Sequence, residues 1–294
     1  MGLHMKSNVM TEEDFALLKD LVRRELGILL KGDKRLMLHA RVSHRLEILG
    51  LATYRDYYDF ILSDPSKEEL STLASHITNN ETYFFREKVQ LDAFSSLLKE
   101  IKKEKQRRGQ NRLRILSVAS SSGEEAYTLN VVLQESGLFA WDWDVMITGI
   151  DINRNSIRKA EEATYTRNSF RSLNGNAEML KRYFILDNDR YVLRKFYRKN
   201  IAFRHGNILD PGAFTGLAPV DVIFCRNVLI YMSDEATERI VRNFADCLDD
   251  IGYLFVGTSE SLIQKTNRFA PEYVDGIIVY RKHGERGDKE AAIW

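Results

Sequence analysis

Cysteine is nearly absent from this chain, with only Cys225 and Cys247 among 294 residues. Neither sits in a C-x-x-C spacing, so a disulfide framework and a structural zinc site are both excluded, and a reducing, cytoplasmic setting is expected. Long apolar runs are missing too. None reaches the roughly 18 residues of a membrane span, and no basic segment followed by an apolar core opens the chain, so neither membrane insertion nor a secretory leader is expected. A dominant charge is also lacking: 43 basic and 42 acidic residues leave a net charge of +1. No whole-molecule field would hold such a chain on nucleic acid or an anionic membrane, and any electrostatic recognition must be local. The six histidines show neither metal-ligand nor triad spacing, so no metal is expected. What is present is a globular composition, 44% hydrophobic and 29% charged, in a chain long enough for two domains with their own cores.

The opening Met1-Gly2-Leu3-His4-Met5 reads as an added start, and residues 1–9 are left out of the fold argument. Residues 10–78 read as helices separated by stop signals. Thr11 with Asp14 resembles a capping box, Phe15, Leu18 and Val22 recur at helical spacing, and Gly27 ends the run. A second helix is predicted from about Asp33 to Leu49, closed by Gly50. Thr53 opens a third, and Asp64-Pro65 predicts a cap with proline at the first position of a fourth. Residues 79–111 form a linker and a helix. Its Lys/Arg-rich stretch, Lys99 to Arg114, suits a solvated helix end better than a nucleic-acid patch.

From residue 112 to about 284 the pattern changes to short apolar runs between helical stretches, the signature of a parallel sheet with crossover helices. The predicted strands are Leu113 to Ala119, Val145 to Ile150, Val220 to Cys225, Tyr253 to Val256 and Ile277 to Tyr280. Helices are expected near Glu124 to Gln134, Arg154 to Ala163 and Asp234 to Leu248. The stretch from about 164 to 200 breaks this alternation. Its Arg190 to Phe196 run, after an Asp187-Asn188-Asp189 turn signal, predicts a small antiparallel insertion. Residues 285–294 are a tail.

The first strand runs into Ser120-Ser121-Ser122-Gly123-Glu124-Glu125 and a helix start. A small-residue turn there lets a ligand approach the backbone at the carboxyl edge of a parallel sheet. G-x-G-x-x-G is absent, and acidic residues at the helix start would repel a pyrophosphate. A carboxylate suits a cationic amino group, or it merely favours the helix dipole. The second strand ends at Asp151, which could accept both hydroxyls of a ribose or cap the next helix. Gly123 and Glu125 precede Asp151 by 28 and 26 residues, the separation that a nucleoside site over adjacent strands requires.

Two longer strings are more specific: Thr78-Asn79-Asn80-Glu81-Thr82-Tyr83-Phe84-Phe85-Arg86-Glu87, and Phe224-Cys225-Arg226-Asn227-Val228-Leu229-Ile230-Tyr231. With the Ser-x-Gly-Glu-Glu turn and Asp151-Ile152-Asn153, they resemble the CheR family, the chemotaxis receptor methyltransferases, over about residues 12 to 282. The resemblance implies a Rossmann-like α/β class I methyltransferase sheet with an antiparallel insertion, preceded by an all-helical domain that faces the receptor. It implies S-adenosylmethionine as cofactor and S-adenosylhomocysteine as product. Asn80, Thr82 and Arg86 would reach the cofactor, Glu125 its methionyl amino group and Asp151 its ribose. Asn207 and Ile208 would lie on the adenine side. Asn227 and Val228 would contact the cofactor below the methyl donor, and Tyr231 would border the reaction centre. Two departures from the commonest family pattern stand out: Ser122 and Ala126 in the turn, and an insertion short of a glycine-rich turn, so docking of a receptor tail pentapeptide is not expected. Phe84 and Phe85 read as core packing, and Cys225 as a buried hydrophobe.

The implied substrate is a glutamate on the cytoplasmic helices of a methyl-accepting chemoreceptor, and a monomer is expected. A surface glutamate is ionised at neutral pH, so no general base is needed; Arg86 and Tyr231 would position it. Lys34, Arg41 and Arg45 recur seven and then four residues apart, on one stripe beside an apolar face of Leu38, Val42, Leu46 and Leu49. That stripe either reads an acidic receptor helix or is an ordinary solvated face. A methyltransferase for RNA or a small molecule, and a cofactor-binding scaffold without turnover, are the competing readings. The absence of a base-handling N-P-P-Y-like string weighs against nucleic acid.

Overall fold

The computed structural model describes residues 9–78, 80–173 and 176–282. Most of the expected added start, residues 1–8, and the 285–294 tail lie outside the described residues. The chain divides into two compact units, Met1–Asn80 with Tyr231–Thr237, and Glu81–Ile230 with Glu238–Trp294.

The first unit holds helices α1 (Glu12–Leu26), α2 (Arg35–Leu49), α3 (Tyr54–Ser63) and α4 (Glu68–Ile77). Reciprocal capping boxes open α1, from Thr11 and Asp14, and α3, from Thr53 and Asp56. Gly27 and Gly50 end α1 and α2 at φ 72° and 66°, where a Cβ is disfavoured. Leu18, Leu21, Val22, Leu38, Val42 and Tyr57 are buried in its core. The fourth helix departs from expectation. Asp64-Pro65 does not open it; residues 65–66 form a turn and α4 begins at Glu68 behind a left-handed Lys67. Asp64 instead accepts from the N–H groups of Ser66 and Glu69, at 2.9 and 3.3 Å. A distant segment completes the unit. The Leu29 N–H donates to the Tyr231 carbonyl at 2.8 Å, the Ser233 N–H to the Gly27 carbonyl at 2.9 Å, and Ile28 bridges Met232.

In the second unit, α5 (Lys88–Arg107) precedes the strands β1 (Arg112–Val118), β2 (Asp144–Asp151), β6 (Ile201–His205), β7 (Val220–Cys225), β8 (Leu248–Val256), β9 (Phe269–Val274) and β10 (Ile277–Lys282). Their order is β6-β2-β1-β7-β8-β10-β9, with β6 through β8 parallel and β10 and β9 antiparallel. Helices α6 (Glu124–Ser136), α7 (Arg154–Glu162) and α9 (Asp234–Cys247) follow β1, β2 and β7. The antiparallel insertion is present as a sheet of β3 (Thr164–Tyr165), β5 (Arg190–Leu193) and β4 (Phe184–Asp187), with α8 (Ala177–Tyr183) leading into β4.

Two strands, β6 and β9, were not predicted, and both lie at the sheet's edges. Every residue of β6 is only half-buried or exposed, so no apolar run marks it. Pro271 sits within β9, tolerated there because an edge strand leaves N–H groups unpaired. The sheet's core is aromatic: Phe224 and Phe255 stack at 4.4 Å between centroids, and Phe94 of α5 meets Phe224 edge-on at 5.3 Å. Part of the basic run from residue 99 to 114 is paired within the fold. Lys105, fully buried, pairs with Asp221 at 2.7 Å, Arg114 with Asp144, and Arg107 and Arg108 with Glu104.

Candidate cofactor site at the carboxyl edge of the sheet

Adjacent parallel strands β2, β1, β7 and β8 end along one edge, and their loops carry the motif residues. After β1 the chain makes a tight turn in which Ala119, Ser121 and Gly123 have φ of 54°, 48° and 88°. A Cβ on Gly123 would lie 2.8 Å from the Ala160 Cβ and 2.9 Å from the Phe203 ring. One on Gly149 of β2 would meet the same ring at 2.5 Å and the Ser120 hydroxyl at 2.9 Å. Phe203 thus fills the space that both glycines leave, and a larger residue at either would displace it.

Asp151 is buried at the end of β2 and accepts from the N–H groups of Ser121 at 2.7 Å and Asn153 at 2.8 Å. Burial raises its pKa, opposed by those backbone donors. It does not cap α7; Asn153 does, accepting from Asn155 and Ser156. The Ile152 N–H donates to it as well, and since a carboxylate has about four acceptor sites, acceptor capacity remains for a ribose hydroxyl. The Ser120 hydroxyl, beside Gly149, is buried with no hydrogen-bond partner among the described residues. A glycine-lined turn, a spare-valence carboxylate and an orphaned hydroxyl at one edge fit a nucleoside.

The two glutamates of the turn differ in role. Glu124 is buried, and Ser122 and Ser169 donate to it at 2.8 and 3.0 Å; burial raises its pKa, opposed by those hydroxyls. It joins the turn to the segment leading into the insertion. Glu125 is partly open but not a free carboxylate. Ser117 donates to it at 2.8 Å and Arg226 Nε lies 2.9 Å from Oε2, an ion pair out of line for a hydrogen bond. Acceptor capacity for a cofactor amine therefore has to be shared with Arg226.

Arg226 knits the two long strings together. Its terminal nitrogens donate to the Arg86 carbonyl at 3.1 and 3.0 Å while its Nε faces Glu125. Asn227, left-handed at φ 61°, donates its side-chain amide to Glu87 at 3.1 Å. Arg86 is half-buried, donates to the Glu81 carbonyl at 3.1 Å and lies 5.5 Å from the Tyr83 ring centre. Thr82 is half-buried nearby in sequence. Phe84 is fully buried among Tyr165, Phe170 and Phe184, so the core reading of this residue holds, and Phe85 is half-buried. Past β6, Asn207 accepts from the Leu209 N–H at 3.0 Å, and the buried Ile208 offers its carbonyl to Asn243 at 2.9 Å. Cys225 is fully buried, and burial beside Glu260 and Glu125 pushes its thiol pKa well up, which leaves it protonated and inert.

Other expected site residues lie in the first unit. Asn80 donates to the Ser75 carbonyl at 3.2 Å, and Tyr231 carries the carbonyl that Leu29 meets. Lys34 is exposed just before α2. Arg41 donates to the His76 carbonyl at the end of α4. Arg45 overturns the stripe as drawn from spacing: it grips Glu69 through two hydrogen bonds, 3.0 and 2.7 Å, with 17% of its side chain exposed and 6% of Glu69's. Glu69 also accepts from the buried Tyr57 hydroxyl at 2.8 Å. Arg45 is thus structural, because a neighbouring helix supplies its counter-charge.

Sequence reasoning missed Glu87, Arg226 and Glu260 as site residues. The first two were inside the quoted strings. Glu260 follows Gly257 after β8, and its only signal was a carboxylate just beyond a parallel strand's carboxyl end.

Comparison with known proteins agrees with this geometry. The family model described as the CheR methyltransferase SAM binding domain matches residues 80–276, and that of the CheR methyltransferase all-alpha domain matches residues 13–78. Chemotaxis protein methyltransferase 2 of Vibrio cholerae is 31% identical over 290 residues, covering 98% of this chain and 99% of that protein. The chemotaxis protein methyltransferase of Borreliella burgdorferi is 28% identical, covering 86% and 89%. The probable biofilm formation methyltransferase WspC of Pseudomonas aeruginosa is 29% identical over 93% of this chain and 63% of its own length. The chain belongs to the CheR methyltransferase family, with S-adenosylmethionine as its cofactor.

Proposed function

We propose that this enzyme esterifies glutamate side chains on the cytoplasmic helices of methyl-accepting chemoreceptors, in chemotaxis or a related chemosensory pathway, and acts as a cytoplasmic monomer. The observation that carries the reading is the Arg226 bridge, which fastens Glu125 of the cofactor turn to the backbone of Arg86. S-adenosylmethionine supplies a methyl group on a sulfonium, open to displacement by a nucleophile. Asp151 binds the ribose, Glu125 the methionyl amine, Asn207 and Ile208 the adenine side, and Thr82, Asn227 and Val228 complete the cofactor contacts, as the family resemblance implies.

A receptor glutamate arrives ionised, with a pKa near about 4.3, so no side chain need remove a proton. Its charge and that of the donor vanish together as the ester forms. Strong hydrogen bonds to the carboxylate would hold it in its ground state, so alignment matters more than activation. Arg86, held by the Glu81 carbonyl and the Tyr83 ring, is suited to orienting the carboxylate; Tyr231 keeps the bordering role that the resemblance implies. The insertion's β4–β5 hairpin turns through Asn188 at φ 52° without a glycine-rich loop, so methylation is proposed not to require the receptor's extreme carboxyl terminus.

The test uses receptor-containing membranes and cofactor labelled in the methyl group. Release of labelled methanol on base treatment, retained when the receptor tail is deleted, is expected. Label that resists base, or label transferred to RNA or a small molecule instead, refutes the glutamyl ester.

A further inference from the structure

Glu260 lies outside every motif string read from the sequence, yet its carboxylate gathers a set of backbone donors. Oε2 accepts from the N–H of Gly257 at 2.6 Å and of Asn227 at 2.9 Å; Oε1 accepts from the N–H of Val228 at 2.8 Å and of Ile230 at 3.3 Å. Three of these donors belong to the segment between β7 and Tyr231. That segment has little local means of holding itself: Asn227 is left-handed, and only a short 3-10 turn, Leu229–Ile230–Tyr231, follows. A carboxylate whose two oxygens bridge three of its N–H groups supplies that restraint, each charge-assisted bond being stronger than a neutral one.

The surroundings are shaped for this contact. A Cβ on Gly257 would stand 2.7 Å from Glu260 Oε2, 2.9 Å from the Asn227 nitrogen and 3.0 Å from its side-chain amide. Only glycine admits so close an approach of the two loops. Glu87 works from the other side, accepting from the Asn227 amide at 3.1 Å and the Thr258 N–H at 3.3 Å. Since a carboxylate accepts and does not donate, the Asn227 side chain must turn its NH2 towards Glu87, which leaves its oxygen as the group available to a ligand.

We propose that Glu260 is a positioning residue for methyl transfer. It fixes the backbone of Asn227, Val228 and Ile230, occupies their donors, and leaves the segment to face the cofactor with acceptors, the polarity that suits a cationic sulfonium and amine. The assignment rests on the cofactor reading above; the restraint itself does not.

The experiment compares Glu260→Gln and Glu260→Asp with wild type in the full chain. Gln keeps the shape but must turn an NH2 towards N–H groups, whereas Asp keeps both oxygens and withdraws them by one methylene. Amide hydrogen exchange at Asn227, Val228 and Ile230, measured without any ligand, should quicken about 10-fold or more in Glu260→Gln, with Val222 to Phe224 of β7 unchanged. S-adenosylhomocysteine affinity by calorimetry should weaken about 10-fold, and kcat should fall by more than the receptor KM rises, with partial recovery in Glu260→Asp. Exchange within threefold of wild type at all three amides overturns the restraint. Quickened exchange with unchanged kcat and S-adenosylhomocysteine affinity overturns the positioning role. If Glu260→Gln does not fold, Glu260→Asp is judged by the same criteria. Wild type that binds no S-adenosylhomocysteine defeats the cofactor reading, while the exchange result still decides the restraint.

Discussion

In the sheet unit, charged and polar residues drawn from motif strings converge on one edge; in the helical unit, charges drawn from helical spacing are mostly engaged with their own fold. Glu125, Arg226, Arg86, Glu87 and Asn227 form a continuous chain of contacts, which Glu260, from outside the strings, extends. Arg41 and Arg45 instead hold the end of α4 and its buried Glu69. Spacing along a helix tells which residues share a face, but not whether a neighbouring helix brings a counter-charge to it. Loops that leave adjacent parallel strands are brought together by topology, so a string placed there is brought to the site whatever its periodicity.

The largest expected effect tests the packing beneath the turn. Gly149→Val should cost more than about 3 kcal/mol, because Phe203 stands 2.5 Å from the position of a Cβ and is boxed in by the turn at Gly123. Equilibrium urea unfolding measures it, and pairing the change with Phe203→Ala should recover part of the loss. Equal destabilisation with and without the partner substitution would show that Phe203 is not the obstacle.

Next in size is Arg45→Ala, which leaves buried Glu69 with the Tyr57 hydroxyl but no cation, a loss of about 3 kcal/mol. Reversal to Glu would be worse, with two carboxylates facing each other. A stripe of Lys34, Arg41 and Arg45 reversed together therefore unfolds the helical unit rather than testing recognition. Thermal unfolding of Arg45→Ala checks this; a midpoint equal to wild type would return Arg45 to the list of surface cations.

Asp151→Asn should act on the cofactor and less on the fold. One oxygen becomes a donor beside the Ser121 or Asn153 N–H, and binding of S-adenosylmethionine and S-adenosylhomocysteine should weaken alike, by about 10- to 100-fold. The ribose is common to both ligands, so calorimetry showing unequal losses would place Asp151 near the methyl group instead.

Much of the architecture was legible because periodicity and caps report local forces: Thr11 and Thr53 cap as read, and five strands were found where apolar runs are continuous. What escaped was set by tertiary context. The edge strands β6 and β9 have no buried face to mark them, Asp64-Pro65 forms a turn because α4 starts later, and Tyr231–Thr237 joins the helical unit through backbone bonds that no side chain announces. At the site, Asp151 and the turn could be read, since a strand end followed by a helix start fixes their place. Glu260 could not, because its partners are main-chain N–H groups in a loop some thirty residues earlier in the chain.

The smallest effect concerns Lys34, whose side chain, unlike those of Arg41 and Arg45, has no hydrogen bond or ion pair among the described residues. It is exposed, precedes α2 and makes no side-chain cap. Lys34→Glu should change stability by no more than about 0.5 kcal/mol, as for surface residues away from special contacts. Cofactor affinity should be unchanged. If an acidic receptor helix approaches this end of α2, the substitution should slow methylation a few-fold at low salt, chiefly through encounter, and the difference should shrink as ionic strength approaches about 0.5 M, where screening shortens the reach of a single charge. Arg41→Ala is the internal control: it removes a cation from the same helix but also a donor to the His76 carbonyl, so it should lose both stability and rate. A Lys34→Glu enzyme that matches wild type at every salt concentration would leave α2 without any recognition role, and the comparison between the two units would then be complete: all function in the sheet's edge, and charge in the helices serving only the fold.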